Sequence, residues 1–333
     1  MKMIRTNTMT DDANIPNLHT PLARILTHLC DNNVELSNTE LSELSDLSAD
    51  GIKEFEPAWS AISTERKCQI LTRLEELTKS NVELNFDRIY HCAIYCADDA
   101  VRKTAVEALW ENTNSSLLPP LLRLVQQDPS AEVRCAAAIA LGRFSVLAEH
   151  QKISAENRMR ISRVLLGIIH NATELLEVRR RALEAVAPLS MPDVTQSIWE
   201  AYRSQEQLMR VSAIYSMGRN CDQLWLPTVL KEMENDAPEM RYEAAIAAGE
   251  IGDIAAVSKL IEHTEDDDIE VQMAAVSALG KIGGKEAKQQ LRTMLLHKSH
   301  AVRDAAEEAL SETESFDMPA TQNPYEFDEP YNN

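Results

Sequence analysis

Four side chains able to hold a metal fall between positions 91 and 99: His91, Cys92, Cys96 and Asp99. Cys92 and Cys96 are four apart, so a helix puts them on one face, and thiolate with imidazole is a donor set that suits zinc. Ile89, Tyr90, Ala93, Ile94 and Tyr95 surround them, and an apolar helix with buried thiols explains the same letters. His297 and His300 sit at a turn with no cysteine nearby, so surface histidines are the default there. Glu149-His150 is reversed in order, and no His-Glu dipeptide occurs anywhere in the chain. The stretch Lys281-Ile282-Gly283-Gly284-Lys285 lacks the preceding strand and the spacing of a phosphate-binding loop. No catalytic constellation emerges, and neither a metal nor a cofactor is expected.

What the chain does carry is a repeat. The string Val133-Arg134-Cys135-Ala136-Ala137-Ala138-Ile139-Ala140-Leu141-Gly142 recurs in altered form. With Val133 as position 1, position 2 is Arg102, Arg134, Arg179, Arg210, Arg241, Gln272 and Arg303, and the last four intervals are each 31 residues. Position 5 is alanine every time: Ala105, Ala137, Ala182, Ala213, Ala244, Ala275 and Ala306. At about 100° per residue, positions 1, 5, 8 and 9 share one helical face, and small residues at its centre imply close contact with a neighbouring helix. Position 10 is often glycine (Gly142, Gly218, Gly249, Gly280), where the helix is expected to end in a left-handed cap. A second apolar-periodic stretch precedes each of these helices, with a polar turn such as Asp128-Pro129-Ser130 between the two. One unit is therefore helix A, a turn, helix B and a short link. Such a unit cannot bury its own apolar face and must stack on its neighbours.

The segment from Gly252-Asp253-Ile254 through Leu260-Ile261, followed by Val271-Gln272 and the run from Ala275 to Gly284, resembles the phycobilin-lyase type of HEAT-like repeat. The resemblance covers roughly residues 85–311. It implies that the acidic residue before the turn and the position-2 Arg link adjacent units. Asp128 with Arg134 and Asp236 with Arg241 match that pattern, and Gln272 interrupts it. The Arg residues are read as structural.

The fold expected is all-α: a right-handed α-solenoid of about seven HEAT-like two-helix repeats. A flexible N-terminus (1–17), N-terminal capping helices (18–84), the array (85–311) and a disordered acidic tail (312–333) make up the chain. Composition agrees, with apolar residues at 44% but aromatic ones at only 5%, as closely packed helices require. The interval from Arg134 to Arg179 is 45 residues, so about 14 extra residues lie between 143 and 163, as a continued helix or a longer loop.

The function classes narrow accordingly. HEAT-like hydroxylases of the deoxyhypusine type use repeated His-Glu dipeptides as iron ligands, which this chain lacks. Handling of a bilin remains an alternative that rests on the repeat alone. Nucleic-acid binding, known in HEAT-like DNA glycosylases, is opposed by a net charge of −20. The one basic run, residues 152–181, ends in Arg179-Arg180-Arg181, which point around a helix and form no single strip. Six cysteines without a CxxC pair, no signal peptide and no membrane-length apolar run indicate a cytoplasmic protein. The remaining class is a non-catalytic scaffold for a protein or peptide partner. Its candidate groove comes from positions 3 and 7 of helix B, opposite the alanine stripe. There the middle units carry Val211, Tyr215, Tyr242, Ile246 and Met273, between charged ends.

Overall fold

The computed structural model describes residues 21–110 and 112–317, and the expected flexible N-terminus and residues 318–333 of the acidic tail lie outside them. Among the described residues there are eighteen α-helices and no strand. The chain is an α-solenoid that falls into two compact units, Met1–Asn112 and Thr113–Asn333.

The first unit contains α1 (Pro21–Cys30), α2 (Asn38–Ser42), α3 (Ala49–Ala61), α4 (Thr64–Ser80), α5 (Asp87–Ala93) and α6 (Asp99–Ala108). Short polar side chains start several of them: Ser48, Ser63 and Asp98 each accept from a main-chain N–H of the first turn. The packing alternates, α1 on α3 and α3 on α5, α2 on α4 and α4 on α6, so the N-terminal helices already stack as pairs.

The second unit holds α7 (Leu118–Gln127), α8 (Ala131–Glu149), α9 (Ala155–Ile169), α10 (Leu176–Val186), α11 (Pro192–Tyr202) and α12 (Gln207–Asn220). It continues with α13 (Leu226–Glu232), α14 (Pro238–Ile251), α15 (Val257–His263), α16 (Ile269–Ile282), α17 (Lys285–Met294) and α18 (His300–Asp317). The even-numbered helices are the B helices, each packed on the next from α8 to α18. The six position-5 alanines of these helices are fully buried in this stacking, and Ala105 on α6 is fully buried in the first unit. The helix carrying the last repeat runs on to Asp317, past the expected start of the tail, with Thr313 buried. The extra residues between 143 and 163 are helical: α8 has 19 residues and α9 has 15, against 14 and 11 for α12 and α11. Glu149 secures this extension by pairing with Arg158 at 2.8 Å and accepting the Ser190 N–H at 3.0 Å.

Position-10 glycine proves not to be a cap. Gly218, Gly249 and Gly280 lie inside α12, α14 and α16, and the left-handed or positive-φ residues come three positions later, at Cys221, Gly252 and Gly283. A Cβ on Gly249 would sit 2.8 Å from Ala278 Cα, and one on Gly218 would sit 2.7 Å from Ala247 Cα. The glycine of one B helix thus receives the position-8 residue of the next. It is present because two backbones nearly touch.

The position-2 residues are structural, by a mechanism the repeat's acidic turn only half foreshadows. Arg102, Arg134, Arg210, Arg241 and Arg303 each donate Nη1 to two carbonyls of their own preceding turn, five and six residues back. Arg179, whose turn is longer, reaches Ile169 O at 2.9 Å. These bonds satisfy turn carbonyls that no helix can serve. The cross-unit partner is the next unit's acid: Arg134 forks onto Glu174 (3.0 and 2.8 Å) and Arg241 onto Asp266 (2.8 and 2.7 Å). Arg134 and Arg241 instead meet Asp128 and Asp236 through their main-chain carbonyls. Gln272 keeps one turn bond, to Asp266 O at 2.6 Å, while its buried Oε1 has no partner. Arg241→Gln should copy that arrangement, losing the fork to Asp266 and about 1 kcal/mol of stability, read by urea denaturation. An unchanged midpoint would show that the fork contributes nothing.

Candidate partner-binding face

Positions 3 and 7 of the middle B helices carry the five candidate residues. Val211 and Tyr215 sit on α12, Tyr242 and Ile246 on α14, and Met273 on α16. Tyr215 is 36% exposed, and the other four are half-buried. Tyr242, Ile246 and Met273 come together with Glu270, Ser277 and Lys281 around a cleft of about 270 Å³. Alanines 274, 278 and 305 complete its wall, so the small residues that let the helices approach also leave room for a guest side chain. Val211 and Tyr215 do not line this cleft; they belong to the neighbouring B helix.

The charges along the B helices from α10 to α16 are unevenly matched. Glu250 takes both Lys281 and, at 3.5 Å, Arg219. On α10, Arg180 donates to Ser212 Oγ at 2.9 Å and to Glu177 at 2.6 Å, and Ser212 donates to Glu184 at 2.5 Å. Arg181 reaches Glu177 at 2.7 Å and Glu184 at 2.8 Å. The consecutive arginines are therefore spent on neighbours and present no basic strip. Glu243, beside Tyr242, is the exception: its Oε2 is shut from solvent and no described group donates to it. Burial, with the Glu184 charge in addition, pushes its carboxyl up to about 7, and Arg180 only partly offsets this. Burial also raises the phenols of Tyr215 and Tyr242, with Glu243 adding to both.

Sequence reasoning passed over Glu243, although a signal existed. Position 4 of helix B reads Thr104, Ala136, Arg181, Ser212, Glu243, Ala274 and Ala305. A carboxylate in a column of mostly small residues, with no basic residue at position 4 of either adjacent unit, is the anomaly.

The other chemical candidates do not assemble. His91 packs edge-on against Tyr95 at 5.6 Å, and burial pushes the Cys92 thiol up to about 11, away from the thiolate a metal requires. Among the described residues no three His, Cys, Asp or Glu side chains are grouped to hold a metal. His300 pairs with Asp304 at 2.5 Å, and His297 accepts the Ser299 N–H. No described helix is long and apolar enough to cross a membrane.

The described helices stack as pairs, most of them with a position-2 Arg bonded to its own turn, and HEAT repeats are matched at residues 88–155 and 226–311. Among solved structures, the chain is similar to YibA of E. coli, at 13% identity, 91% of this chain, 99% of that one and a TM-score of 0.40. Human deoxyhypusine hydroxylase in complex with glycerol matches at 20% identity, 78% of this chain, 95% of that one and a TM-score of 0.33. An engineered protein matches at 17% identity, 88% of this chain, 89% of that one and a TM-score of 0.41. No curated protein matches the sequence.

Proposed function

We propose that the protein is a non-catalytic scaffold that holds a protein or peptide partner on the B-helix face of its HEAT repeats. Val211, Tyr215, Tyr242, Ile246 and Met273 form the contact surface. The observation that carries this reading is the cleft between α14, α16 and α18, where an aromatic, a branched aliphatic and a thioether side chain converge inside a polar rim. Tyr and Met give such a surface large contact area with adaptability. The repeats are of the phycobilin-lyase type as a matter of repeat sequence, with no bilin activity attached. Free cysteines throughout the chain fit work in a reducing, cytoplasmic compartment.

The double substitution Tyr215→Ser and Tyr242→Ser removes aromatic surface without touching the alanine seam. Tagged wild-type protein recovered from its own cells should bring down a stoichiometric partner. The double variant, equally folded by circular dichroism, should retain less than about a tenth of it, as expected when two anchor residues are lost. Undiminished capture would remove this face from consideration.

A further inference from the structure

If the B-helix face is the docking surface, its charges narrow the chemistry of the partner. The cations of this face on α10 to α16 are Arg180, Arg181, Arg219 and Lys281, and each already has a carboxylate. Two carboxylates are left over: Glu243, with its buried and unpartnered Oε2, and Glu270 on the lip of the cleft. On α18, positions 3 and 7 add exposed Asp304, paired only with His300, and exposed Glu308. The surface is thus short of positive charge where its aromatic side chains are. Glu243 is half-buried, so a partner can reach it, and a desolvated carboxylate oxygen left without a donor, as its Oε2 is, is costly.

We propose that this face recognises a basic segment of a protein partner. One Lys or Arg side chain lies against Glu243, between Tyr215 and Tyr242, and an adjacent apolar side chain of the same segment enters the Tyr242–Ile246–Met273 cleft. The inference rests on the scaffold reading above and adds the sign of the partner's charge. The tyrosine faces add a cation–π attraction that a neutral guest lacks. Glu243 titrates at about 7, with Glu184 and Arg180 facing it from α10, Tyr215 from α12 and Tyr242 beside it on α14. An incoming cation therefore holds Glu243 ionised, and the proton that it carried passes to the buffer.

The test uses the full chain and two synthetic amphipathic peptides, one of Leu and Lys and one of Leu and Gln, titrated calorimetrically in about 0.15 M salt. Wild type should bind the Lys peptide about tenfold more weakly at pH 6 than at pH 8, because about nine-tenths of Glu243 is protonated at pH 6. Near pH 7, binding should release about half a proton, seen as different heats in phosphate and Tris. Glu243→Gln should bind about tenfold more weakly at pH 8, with no proton release, and should respond little to pH. Tyr242→Ser should weaken both peptides. Equal binding by wild type and Glu243→Gln at both pH values overturns the charge assignment; the scaffold reading then stands if Tyr242→Ser still weakens the peptides. If neither substitution alters binding, the peptide is held by the overall charge of −20, and both readings fall. Failure of wild type to bind the Lys peptide at all also overturns the proposal.

Discussion

Replacing Glu243 with Gln is expected to make the protein more stable at pH 8 by about 3 kcal/mol, and no more stable at pH 4. The carboxyl ionises near its ordinary value of 4.5 in the unfolded chain and at about 7 in the folded one. Between those values the native state binds more protons than the unfolded state, so stability falls as pH rises, and the loss is complete above about 7. A neutral amide of the same shape escapes this loss. Carboxylates such as Asp266, held below the usual range by its hydrogen bonds from Arg241, act with the opposite sign and cost stability in acid. They act alike in both proteins, so the difference between wild type and variant at each pH isolates Glu243. Urea denaturation at pH 4.5, 6 and 8 should show that difference opening steadily. A difference that is constant with pH would mean that Glu243 ionises normally. A protein that keeps a residue so unfavourable to its own folding is better explained by what that residue meets than by what it supports.

Gly249→Ala is the second large effect, and its sign is opposite to the usual one. In an exposed helix interior this change gains about 0.5–1 kcal/mol. Here the new methyl would lie 2.8 Å from both Cα and Cβ of Ala278, against backbone that no rotamer can move aside. Forcing the helices apart should cost about 1–3 kcal/mol, several degrees in Tm. Gly142→Ala is the internal control, since its Cβ would stand 3.3 Å from the nearest atom, Ala185 Cα, and the change should be far milder. Equal effects at the two sites would show that close approach is not what fixes the glycine.

The repeat, its alanine seam and its structural arginines were legible because they depend on a 3.6-residue period within one helix, which sequence displays directly. The glycine at position 10 was misread because a cap and a close approach ask for the same residue. The actual termini were hidden by Cys221 taking a left-handed conformation at φ 56° where the next two units use Gly252 and Gly283. The fork from Arg134 to Glu174 joins residues 40 apart and crosses between units, a relation no local pattern encodes. The groove was half legible. The helical period puts Tyr242, Ile246 and Met273 at equivalent positions and one cleft brings them together, but whether Val211 and Tyr215 share it depends on how α12 is set against α14. Glu243 lies at position 4, outside the two positions taken to define the surface, and only its column betrays it.

The bond from each position-2 side chain to its own turn has a consequence for how such a chain arises. A unit that satisfies the carbonyls of its own turn asks little of its neighbours except a smooth alanine-and-glycine surface to close on. Copying the gene segment for one such unit yields a piece that fits beside the original without compensating change. Lengthening one, as between α8 and α9, leaves the B helices from α8 to α18 packed each on the next. The array is thereby free to grow or diversify one unit at a time, and a singular residue such as Glu243 can be acquired in a single copy while the rest go on doing the work of structure.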